Sequence, residues 1–201
     1  MKNTLLAAVL MLSFESFAAP WDIDPAHATA QFAVRHMMVS EVHGTLGEVK
    51  GTVELDEKDI TQSKIDATID VTALSTKNQK RDEHLRSDAF FNTEKFPTLR
   101  FKSTKIEKVS AEKLRITGDL TIRDKTKSVV LDATLSPEVK NPFSGVLTRG
   151  ATATTNINRE DWGLVWNMAL ANNGVLVGKE VKISLELEFT KRGDPKAAPS
   201  K

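Results

Sequence analysis

Cysteine is absent from this chain of 201 residues. Its absence excludes disulfide bonds, thiol nucleophiles, thiolate metal sites and attachment of a lipid through a cysteine. The chain must therefore take its stability from a hydrophobic core. A chain of this length is large enough for one domain with such a core, and it is small for two domains.

An excess of charge of one sign is also absent. The 28 lysines and arginines are balanced by 27 aspartates and glutamates, so the net charge is +1. A mixed and nearly neutral composition lacks the electrostatic footprint of a nucleic-acid-binding protein. We therefore expect no nucleic-acid partner.

Catalytic motifs are missing as well. The sequence has no G-x-S-x-G nucleophile elbow, no phosphate-binding P-loop, no G-x-G-x-x-G and no defensible pair of glycosidase carboxylates. None of its four histidines has H-x-H or H-E-x-x-H spacing. We therefore expect a protein that is not an enzyme, with no catalytic residue, no metal site and no cofactor apart from a bound ligand. A lipid hydrolase that depends on His36 or His84 is a third hypothesis.

The N-terminal apolar segment, residues 4–12, is too short to span a bilayer as a permanent anchor. A lysine precedes it, and residues 16–18 form a small-x-small cleavage site. The pattern predicts a signal peptide cleaved after Ala18, because a cut one residue later would leave Pro20 first. A helix lying on the membrane is the alternative. We expect a periplasmic protein that is not integral to the membrane.

Six or seven stretches of the chain alternate apolar and polar residues with a period of two, which predicts strands with one buried face. The clearest apolar sides are Ile65, Ala67, Ile69 and Val71; Leu114, Ile116, Gly118, Leu120 and Ile122; Val129, Leu131, Ala133 and Leu135; and Ile183, Leu185, Leu187 and Phe189. Short connections favour an antiparallel barrel or sandwich. Small residues on the inner faces leave space, which indicates a container for an apolar ligand.

Other segments depart from this alternation. Residues 37–39 fit a short helical turn, glycines within 42–55 predict bends in one long strand, and residues 158–178 fit a long structured loop. The predicted parts are a signal peptide over 1–18, one barrel domain over 19–190 and a flexible polar tail over 191–201.

A short helix is predicted over residues 78–86, where the charged residues Arg81, Asp82, His84 and Arg86 cluster. Two interpretations stay open. The helix lies in solvent with ion pairs that each contribute about 0.2–0.5 kcal/mol. Alternatively, the cluster clamps an anionic or quinone head group at the mouth of the barrel.

The order and spacing of short motifs along the chain resemble the YceI-like family of exported polyisoprenoid-binding proteins. The matching motifs are Trp21-x-Ile23-Asp24-Pro25-x-His27, Phe32-x-Val34-x-His36-Met37, Ile69-Asp70-Val71, Arg81-Asp82-x-His84-Leu85-Arg86-Ser87, Phe90-Phe91, Phe96-Pro97-Thr98, Thr117-Gly118-Asp119-Leu120-Thr121-Ile122 and Ile157-Asn158-Arg159-x-Asp161-Trp162-Gly163-Leu164. One departure is Asp124, which replaces a frequent glycine in a turn and puts the geometry of that turn in doubt.

The resemblance implies an all-β fold, an extended antiparallel lipocalin-like β-barrel with one short helix and long structured loops. It also implies a ligand, a long isoprenoid such as a polyprenyl or quinone-like lipid, held in an apolar interior. An accessory, non-enzymatic partner of a membrane redox protein such as a cytochrome is the alternative function. Contact with an inner-membrane protein and a homodimer are both left open.

The candidate site follows from the predicted inner faces. The apolar lining is predicted to comprise Phe32, Val34, Ile69, Phe91, Phe101, Leu120, Leu131, Trp162 and Leu185. The head group is assigned to His36, Arg81 and Arg86, although His36 also fits an ordinary core histidine. A register slip of one residue would reverse the faces of a strand.

Overall fold

The structure, a computed structural model, describes residues 19–171 and 173–193. These residues form eleven antiparallel strands, one α-helix and three short 3₁₀ helices. The strands are β1 (Ala19–Ile23), β2 (Thr29–His36), β3 (Ser40–Gly47), β4 (Val49–Leu55), β5 (Lys64–Asp70), β6 (Thr98–Lys108), β7 (Lys113–Ile122), β8 (Lys125–Leu135), β9 (Val139–Lys140), β10 (Leu147–Asn158) and β11 (Val177–Lys191). The helix is α1 (Gln79–Arg86), and the 3₁₀ helices are Pro25–His27, Ile60–Gln62 and Arg159–Trp162.

The sheet closes on itself through the long strand β11. One edge of β11 pairs with β10, and the other edge pairs with β2 and then with β1. The closed circuit runs through β11, β1, β4, β5, β6, β7, β8 and β10, which makes an eight-stranded barrel. The predicted antiparallel barrel with one short helix is confirmed. Closure directs the apolar side of each strand to the interior and leaves sheet edges only at β3 and β9, which lie outside the circuit.

Strands β2 and β3 extend one end of the barrel beyond β1 and β4. Both β1 and β2 lie along the same edge of β11, while β3 leads into β4 with a break at Glu48. The predicted bend falls at Gly47, where φ is 136° and a Cβ would lie 1.8 Å from the carbonyl oxygen of Asp70. Only glycine fits that approach. The barrel wall is therefore extended by β2 and β3.

Two aromatic rings inside the barrel lie over glycines of neighbouring strands. A Cβ at Gly44 would lie 2.6 Å from the ring of Phe32, and a Cβ at Gly118 would lie 2.3 Å from the ring of Phe101. Each glycine therefore creates the space that an inward aromatic ring occupies. The small residues noted in the sequence partly serve to accommodate these rings.

The turn between β2 and β3 differs from the predicted helical turn. Met37 and Met38 have φ values of 50° and 65°, which is the left-handed region. Two consecutive residues in this region connect antiparallel strands tightly, as in a type I′ hairpin. The prediction was wrong because the turn is left-handed: the Val39 amide donates to the His36 carbonyl at 3.1 Å across Met37 and Met38, and His36 then pairs with Ser40.

The predicted domain limits relate to the described residues as follows. The signal peptide predicted over 1–18 lies outside them, as do residues 194–201 of the predicted tail. Strand β11 continues to Lys191, and the amide of Arg192 donates to the Pro20 carbonyl at 2.8 Å, so regular pairing passes the predicted boundary at 190. No helix within residues 19–171 and 173–193 is long and apolar enough to cross a membrane.

Candidate ligand-binding site

The barrel interior holds two cavities, which we name the upper and the lower chamber. The upper chamber has a volume of about 240 Å³ and lies at the end formed by β2, β3 and α1. Its lining comprises Phe32, Val34, Arg35, His36, Val42, Leu46, Arg81, His84, Leu85, Phe90, Phe91, Leu99, Ile122, Ile157, Arg159, Leu164, Trp166, Leu176, Val177, Val181 and Ile183. Strands, the helix and two loops all contribute to this wall.

The lower chamber has a volume of about 120 Å³ and is walled mainly by strands. Its lining comprises Ile23, Val49, Val53, Leu55, Ile60, Ser63, Ile65, Ala67, Ile69, Leu99, Phe101, Ile106, Leu114, Ile116, Leu120, Leu131, Ala133, Thr134, Leu135, Ala151, Ala153, Leu185, Leu187 and Phe189. The list contains no charged residue, and its polar members are Ser63 and Thr134. This chamber can accommodate hydrocarbon and offers little to a polar group.

The two chambers meet at Leu99, a buried residue of β6 that lines both of them. Beyond the lower chamber, the fully buried Trp21 packs edge-on against Phe189, with ring centroids 5.6 Å apart. The cationic groups of Arg149 and Lys191 lie 5.9 and 5.6 Å from the Trp21 ring. The interior therefore holds two cavities that share Leu99 as a wall residue, with an aromatic residue near the lower end.

Helix α1 is held over the upper chamber by a buried hydrogen-bond network. The Thr76 amide donates to the Asp82 carboxylate at 2.8 Å, and the Thr76 hydroxyl donates to the same oxygen. That hydroxyl also accepts from Arg81 Nε at 2.7 Å, while Arg81 Nη2 donates to the Thr76 carbonyl at 3.0 Å. The network fixes the Arg81 guanidinium before any ligand binds.

The ionised form of Asp82 is favoured within this network. Burial acts to raise the pKa of its carboxyl, but the hydrogen bonds from Thr76 and the charges of Arg86 and Arg81 outweigh burial. The net result is a pKa below the ordinary value for an aspartate. Asp82 is therefore a structural anion that fixes the position of α1.

Arg159 enters the upper chamber from the 3₁₀ helix that follows β10, and its side chain is only 4% exposed. Its Nε donates to the Gly178 carbonyl at 2.9 Å, its Nη2 donates to the Val177 carbonyl at 3.3 Å, and its Nη1 donates to the Leu164 carbonyl. Burial lowers its pKa below the usual range of an arginine. Arg159 thus ties the 159–164 segment to the start of β11.

Aromatic rings complete the wall beside α1. The ring of His84 lies edge-on to Trp166 with centroids 4.6 Å apart, and edge-on to Phe90 at 5.1 Å. Arg123, in the turn between β7 and β8, donates to the Phe90 carbonyl at 3.2 Å. In this turn the left-handed conformation falls on Arg123, with φ of 57°, and not on Asp124. The missing glycine therefore does not disturb the turn.

Exposed apolar side chains surround this end of the barrel. Met37, Met38 and Val39 are exposed in the β2–β3 turn, as is Met168 in the loop before β11. The two segments are joined through Leu176, which accepts from the Met37 amide and donates to the Met168 carbonyl. The end of the barrel where the upper chamber lies is therefore rimmed by apolar side chains.

The structure places most of the predicted site residues at the interior. Phe32, Val34, Phe91, His36 and Arg81 line the upper chamber, and Ile69, Phe101, Leu120, Leu131 and Leu185 line the lower chamber. The predicted strand faces thus match the observed ones. Whether these residues contact a ligand stays a prediction.

Two predicted site residues lie elsewhere. Trp162 lines neither chamber: its indole is buried and donates to the Leu120 carbonyl at 3.0 Å, beside a surface pocket. Arg86 lines neither chamber either, because its Nη1 donates to the Leu74 carbonyl at 3.2 Å. These two assignments are corrected. The tryptophan at the upper chamber is Trp166.

Several lining residues were missed from the sequence, above all Arg159, His84, Leu99 and Trp166. Arg159 and His84 stand inside the family motifs, which was the available signal. The alternation of residues predicted that Leu99 lies on the inner face of its strand, but it did not predict a position between two cavities. Trp166 lies in an irregular loop, where spacing does not indicate which side chain turns inward.

One cluster of metal-ligand types occurs among the described residues. Asp24, His27 and Glu188 have ligand atoms within 4.8 Å of one another, and His27 Nδ1 lies 2.8 Å from Asp24 Oδ2. This hydrogen bond raises the pKa of His27 and lowers the pKa of Asp24. None of the three lines a chamber. The cluster is explained by its role at the turn between β1 and β2, where Asp24 caps the first 3₁₀ helix.

The closed antiparallel barrel and its elongated apolar interior define the class of protein, a lipocalin-like β-barrel with an internal cavity. The YceI-like domain matches residues 21–189. The chain therefore belongs to the YceI-like family. It is 37% identical over 167 residues to the UPF0312 protein SA2479 of Staphylococcus aureus (strain N315), which covers 83% of this chain and 95% of that protein.

Solved structures share the fold. The YCEI protein of Campylobacter jejuni superposes with a TM-score of 0.66 at 28% identity, covering 79% of this chain and 90% of that one. BcnA of Burkholderia cenocepacia gives a TM-score of 0.71 at 20% identity, covering 83% and 98%. A polyisoprenoid binding domain from Saccharophagus degradans gives 0.59 at 12% identity, covering 88% and 99%.

Proposed function

We propose that this protein binds one long-chain amphiphile, of the polyprenyl or quinone-like type, and sequesters or carries it in the periplasm. The observation that carries the proposal is the pair of chambers that share Leu99 in their linings, one without any charged side chain and the other bearing charged and polar groups. A slender amphiphile has the same distribution of apolar and polar groups, with a hydrocarbon tail for the lower chamber and a polar head for the upper chamber. The barrel neighbour described as a polyisoprenoid binding domain agrees with this ligand class.

The driving force is burial of the tail. Each CH₂ group moved from water into the interior contributes about 0.8 kcal/mol, less the cost of ordering the chain. The upper chamber alone, at about 240 Å³, lies just below the roughly 300–1,000 Å³ typical of small-molecule sites. A tail that extends past Leu99 gains the volume of the lower chamber.

Binding is proposed in preference to catalysis. Within the described part of the chain, the rings of His36 and His84 form no hydrogen bond to a serine, aspartate or glutamate side chain, and activation of a nucleophile requires such a bond. His84 instead packs between Phe90 and Trp166. The lipid hydrolase hypothesis therefore gains no support from the site.

The test is solvent extraction of the protein purified from a bacterial periplasm, followed by mass spectrometry. We expect a stoichiometric isoprenoid or quinone-like lipid in the wild type. Leu99→Trp, which places a larger side chain between the two chambers, should lose it, while the outward Val130→Trp should retain it. Absence of any lipid from wild type, together with no binding of a neutral apolar fluorescent probe, would overturn the proposal.

The same variants separate the alternative function, an accessory partner of a membrane redox protein. A scaffold role predicts that a membrane protein co-purifies equally well with wild type and with folded Leu99→Trp. The container role predicts that ligand retention, and any association that depends on the ligand, is lost in Leu99→Trp.

A further inference from the structure

An apolar surface lies at the end of the barrel that holds the upper chamber. Nine large apolar side chains are exposed among the described residues, and five of them lie in the β2–β3 turn and in the loop before β11. We name these five the apolar rim: Met37, Met38, Val39, Val165 and Met168. Single exposed apolar side chains are ordinary, whereas a group of them at one end of a molecule marks an interaction site.

The two segments of the apolar rim are held side by side. The Met37 amide donates to the Leu176 carbonyl at 2.8 Å, and the Leu176 amide donates to the Met168 carbonyl at 2.9 Å. Leu176 itself lines the upper chamber, as do His36 and Trp166, which are the chain neighbours of Met37 and Val165. The apolar rim therefore borders the chamber in which the ligand is proposed to lie.

The loop that carries half of the apolar rim has no ionisable side chain. Residues 162–178 contain no aspartate, glutamate, lysine, arginine or histidine, and no other stretch of the chain is as long without one. The chain as a whole is 27% charged. Charged side chains keep an exposed loop soluble in water. A loop that enters the boundary of a bilayer excludes them, because a charge is costly to bury in lipid.

The polar groups of the same loop bond to one another. Asn167 Nδ2 donates to the Val177 carbonyl at 2.8 Å, and Asn167 Oδ1 accepts from the amides of Met168 and Val177, each at 3.0 Å. The Leu170 amide donates to the Gly174 carbonyl at 2.9 Å. Backbone and amide groups near lipid need such partners, because lipid chains supply none. The loop is therefore suited to leave water without losing hydrogen bonds.

The turn of the apolar rim carries side chains that its backbone does not favour. Met37 and Met38 both have left-handed backbone conformations, and Asn-Gly is a preferred pair for a turn of this type. Both methionine side chains are also exposed. They therefore cost stability in the isolated protein without any burial in return. Contact with lipid would bury them.

We propose that the apolar rim docks on the surface of a lipid bilayer and holds the upper chamber against it. A bilayer is favoured over a protein partner because residues 37–40 and 162–178 carry no charge that could pair across a protein interface. The inference goes beyond the proposed function: docking needs no bound ligand, and it brings the chamber to the phase in which long-chain amphiphiles dissolve.

The first test measures binding of the purified protein to phosphatidylcholine vesicles by flotation. We expect wild type to float with the vesicles. The double variant Met37→Asn/Met38→Gly should bind at least about tenfold more weakly, because two apolar side chains are removed. It should be no less stable in urea, since Asn-Gly suits the turn. Phe143→Asn, at an exposed position in the loop after β9, is the control and should bind like wild type.

The second test locates the docked face. Because the chain has no cysteine, a single introduced cysteine can be labelled selectively. Val165 in the apolar rim and Val139 on β9 form a matched pair, with exposures of 62% and 61%. An environment-sensitive dye on Val165→Cys should shift its emission to shorter wavelength when vesicles are added. The same dye on Val139→Cys should not shift.

The outcomes separate docking from ligand binding. Wild type that binds the neutral apolar probe but not the vesicles would overturn docking and leave a lipid-binding barrel. Vesicle binding without probe binding would support docking and overturn the proposed function. Equal vesicle binding by wild type and Met37→Asn/Met38→Gly, or equal dye shifts at both positions, would overturn the assignment to the apolar rim. A wild-type dimer that the double variant dissociates, without vesicle binding, would identify a second copy as the partner and overturn the proposal.

Discussion

The two chambers occupy one barrel but arise from different parts of the chain. The lower chamber is formed almost entirely by strands, and its lining is apolar. The upper chamber adds α1, the 3₁₀ helix after β10 and the loops around Phe90 and Trp166, and the two helices bring Arg81, His84 and Arg159, while Arg35 and His36 come from β2. Strand alternation therefore accounts for the apolar lower chamber, whereas helical segments supply three of the five ionisable side chains of the upper chamber.

The largest effect is expected from a substitution that introduces a charged side chain into the lower chamber. Leu131 and Val130 are neighbours on β8, with side chains inward and outward respectively. We expect Leu131→Asp to reduce the free energy of unfolding by at least about 3 kcal/mol and to abolish lipid retention, because it buries an unpaired carboxyl. Val130→Asp should change the free energy by less than about 0.5 kcal/mol.

Urea unfolding of both variants, with lipid extraction of any folded protein, measures this pair. Equal stability and equal retention in Leu131→Asp and Val130→Asp would contradict the assigned inner face of β8.

A smaller effect is expected where a glycine accommodates an inward ring. Gly118→Ala would place a Cβ against Phe101 and the Lys102 carbonyl, so we expect a loss of about 1–3 kcal/mol. At Gly150 the nearest atom, Ser136 Oγ, lies 3.4 Å from a Cβ, and φ is not positive. Gly150→Ala should therefore be neutral or slightly stabilising. If urea unfolding gives the same loss in free energy of unfolding for both variants, Phe101 does not require the space at Gly118.

The smallest expected effect concerns the upper chamber and is pH-dependent. The pKa of Asp82 is lower in the folded protein than in the unfolded chain. The ionised carboxylate therefore adds to the free energy of unfolding above about pH 4, and this contribution is lost as the pH falls through the pKa of the folded state. We expect wild type to exceed Asp82→Asn in free energy of unfolding by on the order of 1 kcal/mol at pH 6. The difference should shrink toward pH 3.

Asp88→Asn, at an exposed position just beyond α1, is the control for loss of one negative charge. A wild-type advantage over Asp82→Asn that stays constant from pH 6 to pH 3 would contradict the depressed pKa.

The comparison of the chambers also explains what could be predicted from sequence. The inner faces of the strands, including Phe32, Leu120 and Leu185, followed from the period of two, because a strand has only two sides. The left-handed turn at Met37 and Met38 was not readable, because neither residue is typical of that conformation.

The charged side chains that line the upper chamber could be predicted only in part from the sequence. The motif containing Arg81 predicted a cluster of charged side chains, but it did not predict their directions. Arg86 donates to the Leu74 carbonyl and Arg159 to the Gly178 carbonyl, and the positions of these carbonyls are set by the folded loops. The choice between Trp162 and Trp166 likewise depends on the path of the loop. Such orientations are set by contacts between segments distant in sequence, which local patterns do not encode.

The central claim is that one ligand occupies both chambers, and its most direct test is the dependence of affinity on tail length. Geranyl, farnesyl and geranylgeranyl phosphate should bind wild type with steadily increasing affinity, because added carbons enter the lower chamber past Leu99. In Leu99→Trp the increase should stop at a shorter tail, with probe binding in the upper chamber intact. The same increase in both proteins would contradict a ligand that spans the two chambers.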